Sequence, residues 1–186
     1  ALVPSRQAYS ELSGLISMAR RRSPKGEYRV TLRDVFSTQT LPAYLTATDN
    51  DKDARAYGLQ LRRLCKNRVW LGVSHLLGND EIQRYQALKT LASELRLPMV
   101  ACGGVHMHCA SRKPLHDVFT ALYHNTSIAQ LGRRRLCNSQ PHLRSLQALH
   151  MLYPPALLSE TLHIASLCHF SLDELRYEYP EEVVPP

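Results

Sequence analysis

Hydrophobic positions along the chain alternate between helical stripes and short, uniformly apolar runs. The first stripe predicts a helix over residues 6–22, capped by Ser5, with apolar positions three and four residues apart at Leu12, Leu15, Ile16 and Ala19. Residues 2–3, ahead of this helix, are interpreted as the stub of a strand. The pattern at residues 28–35 is compatible with either a short helix or a loop.

The middle of the chain predicts strands and helices in alternation. Strands are expected at residues 43–46, 69–73 and from Met99, and helices at residues 52–66 and 80–96, with a polar turn at residues 49–53. The side chains expected to face the core are Ala56, Leu59, Leu61 and Leu64 in the first helix and Ile82, Tyr85, Leu88, Leu91, Ala92 and Leu95 in the second, which Asp80 caps. Such alternation indicates an α/β fold with a mostly parallel sheet and right-handed crossovers.

Beyond residue 108 the pattern changes to helices without a further convincing strand. Helices are predicted at residues 114–124, 145–152 and 155–168, and residues 175–186 look extended and bounded by proline. The expected division is therefore βα units over residues 1–111, a helical segment over residues 112–174, and a linker over residues 175–186.

Two histidines follow the apolar run at residues 98–101, where a buried strand should end. Side chains at the carboxyl ends of parallel strands face ligands in α/β folds, and His106 and His108 would share one face of an extended segment. Both imidazoles could then bind one metal ion, although a zinc or manganese site needs further ligands. His75 ends the preceding strand in a similar way and is a weaker candidate. The alternative for His106 is a buried, hydrogen-bonded histidine.

Composition and charge narrow the function classes. The 186 residues are enough for one sizeable core, and no run is apolar enough for a membrane span or a signal peptide, so a cytoplasmic protein is expected. Five scattered cysteines without a Cys-x-x-Cys pair argue against a disulfide framework. The net charge is +7, and a loop with Arg133, Arg134 and Arg135 could bind a phosphate backbone, or could simply be a solvated turn.

Several segments resemble the polymerase-and-histidinol-phosphatase (PHP) domain of bacterial error-prone DNA polymerases, which are related to the DNA polymerase III alpha subunit. The segments that carry the resemblance are residues 19–22, 25–29, 105–108, 111–113, 142–145, 153–155 and 170–180. The longest, Phe-Ser-Leu-Asp-Glu-Leu-Arg-Tyr-Glu-Tyr-Pro at residues 170–180, is also the most specific. The resemblance implies part of a distorted seven-stranded (β/α) barrel, with residues 175–186 leading toward a palm domain.

The sequence departs from the pattern of that family in two respects. The family has a metal-binding aspartate two residues before the histidine that matches His106, and this sequence has Gly104 there. The first three metal motifs of the family have no counterpart, so we expect an incomplete metal site. By the resemblance, Zn, Mn or Mg would be the metal of such a site, but no cofactor is expected in this fragment.

The leading hypothesis is a scaffold fragment of a polymerase that acts in DNA repair and in synthesis past damage, without catalysis of its own. Its expected partners are DNA through the parent polymerase, other polymerase domains or accessory proteins, and a second copy through an exposed sheet edge. One alternative is a small metal-dependent phosphoesterase built from His75, His106, His108 and Asp117. The other alternative is a basic nucleic-acid-binding module.

Overall fold

The computed structural model of the chain describes residues 2–38, 43–46, 51–65 and 68–176. The chain divides into two compact units, one formed by Ala1–Pro42 with Ser166–Pro186 and the other by Ala43–Ala165. The α/β class expected from the sequence is confirmed. The domain boundaries expected near residues 111 and 174 stay a prediction.

The first unit is built on helix α1, Arg6–Arg21. The Ser5 hydroxyl accepts a hydrogen bond from the Ala8 amide, so the predicted cap is confirmed. A short helix, α2, spans Leu32–Phe36 and begins with a capping box between Thr31 and Asp34. The open pattern at residues 28–35 therefore resolves into a loop that leads into a short helix.

Two expectations for the first unit are wrong. Residues 2–3 do not form a strand, since every described strand lies in the second unit and a strand needs a paired neighbour. Ile16 is 47% exposed, because the buried face of α1 runs through Ala8, Leu15 and Ala19.

The second unit contains a parallel sheet of three described strands in the order β1-β2-β3. Strand β1 is Ala43–Thr46, β2 is Val69–Val73 and β3 is Met99–Ala101. Helix α3, Asp51–Cys65, joins the first two strands, and helix α4, Glu81–Leu95, joins the second pair. The predicted alternation of strands and helices is confirmed, and β2 is buried along its whole length, as a central parallel strand should be.

The predicted buried faces of these helices are correct only in part. In α3 the buried positions are Ala54, Gly58, Leu61 and Cys65, whereas Ala56 and Leu59 are exposed. The prediction is therefore confirmed at Leu61 and wrong at Ala56 and Leu59, which lie roughly 140° to 200° around the helix from Ala54. The Leu64 side chain, Asp49, Asn50 and Lys66 lie outside the described residues, and the helix already begins within the predicted polar turn.

The predicted face of α4 is confirmed at Leu88, Ala92 and Leu95, which are buried. Ile82 is wrong, because at the first turn of the helix it is 76% exposed. Asp80 occupies the predicted N-cap position, but its side chain makes no capping hydrogen bond.

Helices complete the second unit as the sequence predicts. They are α5, Lys113–Tyr123, α6, Leu146–Leu152, and α7, Pro155–Ser166, whose last residue belongs to the first unit. The main core lies between the sheet and helices α4 and α7 and consists of Leu71, Val73, Leu88, Ala92, Tyr153 and Leu157. This core fixes the carboxyl ends of β2 and β3. The predicted extended segment lies mostly outside the described residues, from residue 177 onward.

Candidate functional site

The carboxyl ends of β2 and β3 lie side by side and are joined by a tyrosine. The Cys102 amide donates to the Val73 carbonyl at 2.7 Å, which extends the pairing of the two strands by one residue. Beyond it, the Tyr153 hydroxyl accepts a hydrogen bond from the His75 amide at 3.0 Å and donates to the Cys102 carbonyl at 2.7 Å. Tyr153 therefore ties together the two loops that leave the sheet.

The His75 side chain is buried and held by a carboxylate. Its Nδ1 lies 2.5 Å from Oε1 of Glu81, while the other oxygen of Glu81 accepts from the Leu76 amide at 3.2 Å. The rings of Tyr85 and Tyr153 lie 5.2 and 4.9 Å from the imidazole, centre to centre. This environment is that of a packed, hydrogen-bonded histidine, and one ring nitrogen is already committed to Glu81.

A loop at residues 138–144 forms hydrogen bonds to the segment that follows β2. Arg144 donates through Nη2 to the His75 carbonyl at 2.9 Å and to Gln140 at 3.1 Å. Asn138 donates from its side-chain amide to the Leu76 carbonyl at 2.7 Å. Hydrogen bonds of this kind satisfy the backbone carbonyls of a partly buried loop, so the loop after β2 has a defined path.

Gly104 adopts a conformation that suits glycine better than aspartate. Its φ is +54°, in the left-handed region, where a residue with a Cβ is less stable by about 1 kcal/mol. Space is not the obstacle, because a Cβ at this position would lie 3.5 Å from the Ser74 hydroxyl, an ordinary contact. The backbone after β3 therefore suits the glycine that is present, and aspartate is among the few other residues that adopt this conformation.

His106 lies at the surface beside another histidine. Its amide donates to the Pro141 carbonyl at 3.0 Å, and its ring meets the ring of His116 edge to face at 5.5 Å between centres. His108 is also exposed, while Met107 between them is buried and forms a parallel bridge with His142. His116, on α5, was not expected here, since it follows His106 by ten residues and only the fold brings the two together.

Asp117 is the most buried carboxylate of the described residues, with an exposed fraction of 3%. Its Oδ2 accepts from Lys113 Nζ and from Arg135 Nε, both at 2.8 Å. Burial acts to raise the pKa of Asp117, but the hydrogen bonds and charges of these two cations outweigh burial and lower the pKa below its ordinary value. Asp117 is therefore a negative charge neutralised inside the protein.

The candidate ligands do not form a metal centre among the described residues, in which no group of three or more His, Cys, Asp or Glu side chains could hold a metal ion. His75 is bound to Glu81, Asp117 is bound to two cations, and His106 is paired with His116 alone. A zinc site needs about four ligands, and a site for Mn or Mg needs several oxygen ligands. The candidate side chains supply neither set, so they do not fit the metal site that the resemblance implies.

The three arginines of the predicted phosphate-binding loop have different environments. Arg133 and Arg134 are exposed in a single-turn 3₁₀ helix, Gly132–Arg134, whereas Arg135 pairs with Asp117. Arg135 pairs through Nε only and its side chain is 52% exposed, so Arg133 and Arg134 are the two that have no such partner to share among the described residues. Nucleic-acid binding at this loop stays a prediction.

Comparisons with known proteins show that, over its whole length, the chain is similar to bacterial DNA polymerases. The relatives are error-prone DNA polymerases, with 47% identity for that of Teredinibacter turnerae, 46% for Saccharophagus degradans and 41% for Vibrio vulnificus. The match covers 99 to 100% of this chain but only 18% of the length of each relative. No family model matches the sequence.

The names of these relatives confirm the resemblance to error-prone DNA polymerases. The described part of the chain contains no helix that is long and apolar enough to cross a membrane.

Proposed function

We propose that this chain is part of the PHP domain of an error-prone DNA polymerase and serves there as a scaffold. The similarity at 41 to 47% identity along essentially the whole chain carries this proposal, because it extends over both compact units. The three parallel strands with helical crossovers are compatible with a segment of a (β/α) barrel. In this proposal the polymerase reaction, and any contact with DNA during repair, belongs to the longer protein.

A chimaera tests the scaffold role directly. We expect the Teredinibacter turnerae polymerase to remain soluble and to extend a primer when this chain replaces its matching region. The reason is that the chain matches this region over its whole length at 47% identity, which should preserve the fold of the segment. The control is the same polymerase with the region deleted, which should lose activity. A folded chimaera that extends primers no better than the deletion would contradict the proposal.

We further propose that the metal site of this scaffold is incomplete. Three features support this: Gly104 with its left-handed backbone, the His75–Glu81 contact, and the two cations on Asp117. Gly104 stands in place of the aspartate of the family pattern, and the other two contacts occupy His75 and Asp117, which the phosphoesterase alternative requires. The nucleic-acid-binding alternative rests on Arg133 and Arg134, which are exposed.

Metal analysis distinguishes an incomplete site from a working one. After equilibration with Zn²⁺ or Mn²⁺ and gel filtration, we expect the chain and its His106→Ala variant to retain the same substoichiometric amount of metal. Neither should release phosphate from a phosphomonoester, because the donor set is too small for a bound, activated water. His124→Ala, another exposed histidine, is the matched control. About one equivalent of metal that is lost only in His106→Ala would refute an incomplete site.

Self-association through a sheet edge stays a prediction. Strands β1 and β3 flank β2, so each has one side without a partner among the described strands. Backbone groups on such a side can pair with another strand. Contacts with accessory proteins also stay proposals.

A further inference from the structure

Helix α5 presents a continuous apolar face to solvent. Its exposed apolar residues lie at positions i, i+3, i+4, i+7 and i+8, the spacing of a single helical face: Leu115, Val118, Phe119, Leu122 and Tyr123. Phe119, Leu122 and Tyr123 are 62%, 68% and 85% exposed, so the C-terminal half of this face is almost bare. Contiguous apolar surface of this kind is uncommon on a protein without a partner for it.

The opposite face of the same helix is buried and holds the charge. Asp117 and Ala121 are the buried residues of α5, and Asp117 lies roughly opposite the centre of the apolar face. Lys113 and Arg135 accompany Asp117 there. The polarity of α5 is therefore inverted relative to a surface helix, which turns its apolar side inward. A helix that is buried on one side in its own domain and is apolar on its outer side is suited to lie at an interface with another domain or protein.

The segment of the chain that contains α5 is basic. Residues 110–135 carry the cations Arg112, Lys113, Arg133, Arg134 and Arg135 and one acidic residue, Asp117. Asp117 is neutralised internally, and Arg112, Arg133 and Arg134 are exposed. Lys113 and Arg135 lie at Asp117, on the buried side of the helix, so only Arg112, Arg133 and Arg134 remain to interact with acidic groups of a partner.

We infer that the apolar face of α5 docks onto an apolar surface of another domain of the same polymerase-length polypeptide. This inference rests on the proposed function. The chain spans 18% of the length of its relatives, so a protein of that length has ample further surface that α5 could contact. A second copy of the chain is the weaker occupant, because two copies that meet through α5 would bring the same exposed arginines together, and the one acidic residue of this segment is already paired.

Hydroxyl-radical footprinting with mass spectrometry measures this docking residue by residue. The isolated chain is compared with the chimaera in which it replaces the matching region of the Teredinibacter turnerae polymerase. We expect oxidation of Phe119, Leu122 and Tyr123 to slow by about fivefold or more in the chimaera, as side chains at the centre of an interface lose water. Ile82 on α4, which is 76% exposed, is the internal reference.

A double variant shows whether the docking depends on the apolar face itself. Phe119→Ser with Leu122→Ser should leave the thermal midpoint of the isolated chain unchanged, because both side chains are exposed there. In the chimaera, the same variant should restore the oxidation rate of Tyr123 to that of the isolated chain. Ile82→Ser is the matched control and should restore nothing.

The outcomes separate this inference from the proposed function. A chimaera that extends primers while the three side chains oxidise as fast as in the isolated chain would overturn the docking alone. A chimaera that is inactive with the same fast oxidation would overturn both. Sedimentation that shows a dimer of the isolated chain, abolished by the double variant, would assign the face to a second copy and also overturn the docking.

Discussion

Replacing Asp117 by alanine is expected to lower the free energy of unfolding of the chain by about 3 kcal/mol, a loss typical of breaking a buried ion pair. The carboxylate is 3% exposed and accepts hydrogen bonds at 2.8 Å from Lys113 and Arg135. Without it, Lys113, whose side chain is only 16% exposed, becomes a largely buried charge without its anion. The expected loss therefore comes mainly from the partner that is left behind.

Urea denaturation followed by far-UV circular dichroism measures this loss. Arg135→Ala should cost less than Asp117→Ala, because Asp117 keeps its hydrogen bond from Lys113 and the Arg135 side chain is 52% exposed. Lys113→Met in the same background should recover part of the loss, since it removes the stranded cation. An equal cost for Asp117→Ala with and without Lys113→Met would show that the two side chains are not coupled.

The same carboxylate should give the stability a defined dependence on pH. Lys113 and Arg135 hold the pKa of Asp117 below its ordinary value in the folded chain. Asp117 therefore stabilises the fold fully above the unfolded pKa of about 4, and its contribution is lost as the pH falls through the folded pKa. The difference in stability between the chain and Asp117→Ala should accordingly be constant near neutral pH and shrink in acid. A difference that grows below pH 4 would contradict this sign.

The sequence predicted the order of the elements because the apolar patterns are long and regular. Strand β2 is a short apolar run between Arg68 and Ser74, and β3 is one between a proline and a pair of glycines. Helix α1 begins at a serine, a preferred N-cap residue. The faces of the helices were less predictable. Apolar residues occur on two sides of α3, and which side is buried depends on the sheet beneath it.

Contacts at the candidate site were predicted less well, because they join residues distant in sequence. His75 meets Tyr153 across 78 residues, and Arg135 meets Asp117 across 18. Local pattern gives no signal for such pairs. The inverted polarity of α5 shows the same limit: its apolar stripe is plain in the sequence, but only the fold reveals that Asp117 points inward and the stripe outward. A periodic apolar stripe identifies one face of a helix but does not say whether that face packs on the helix's own domain or on a partner.

Tyr153→Phe is the second replacement with a large expected effect, a loss of about 2 kcal/mol in the free energy of unfolding. Burial raises the pKa of the Tyr153 hydroxyl, so it stays protonated at neutral pH and can donate to the Cys102 carbonyl. It also accepts from the buried His75 amide. Phenylalanine keeps the ring packed in the core but leaves both backbone groups without this partner.

Amide hydrogen exchange tests whether Tyr153 links the two strand ends, in addition to filling space. In Tyr153→Phe, exchange of the His75 amide should quicken, whereas that of Leu71 within β2, whose amide bonds to the Pro98 carbonyl, should change much less. Tyr123→Phe, at a side chain 85% exposed, is the matched control and should change neither stability nor exchange. If the His75 amide kept its protection in Tyr153→Phe, the core would hold the loops by packing alone. Faster exchange would instead show that one hydroxyl fixes the position of His75 relative to the chain that carries His106.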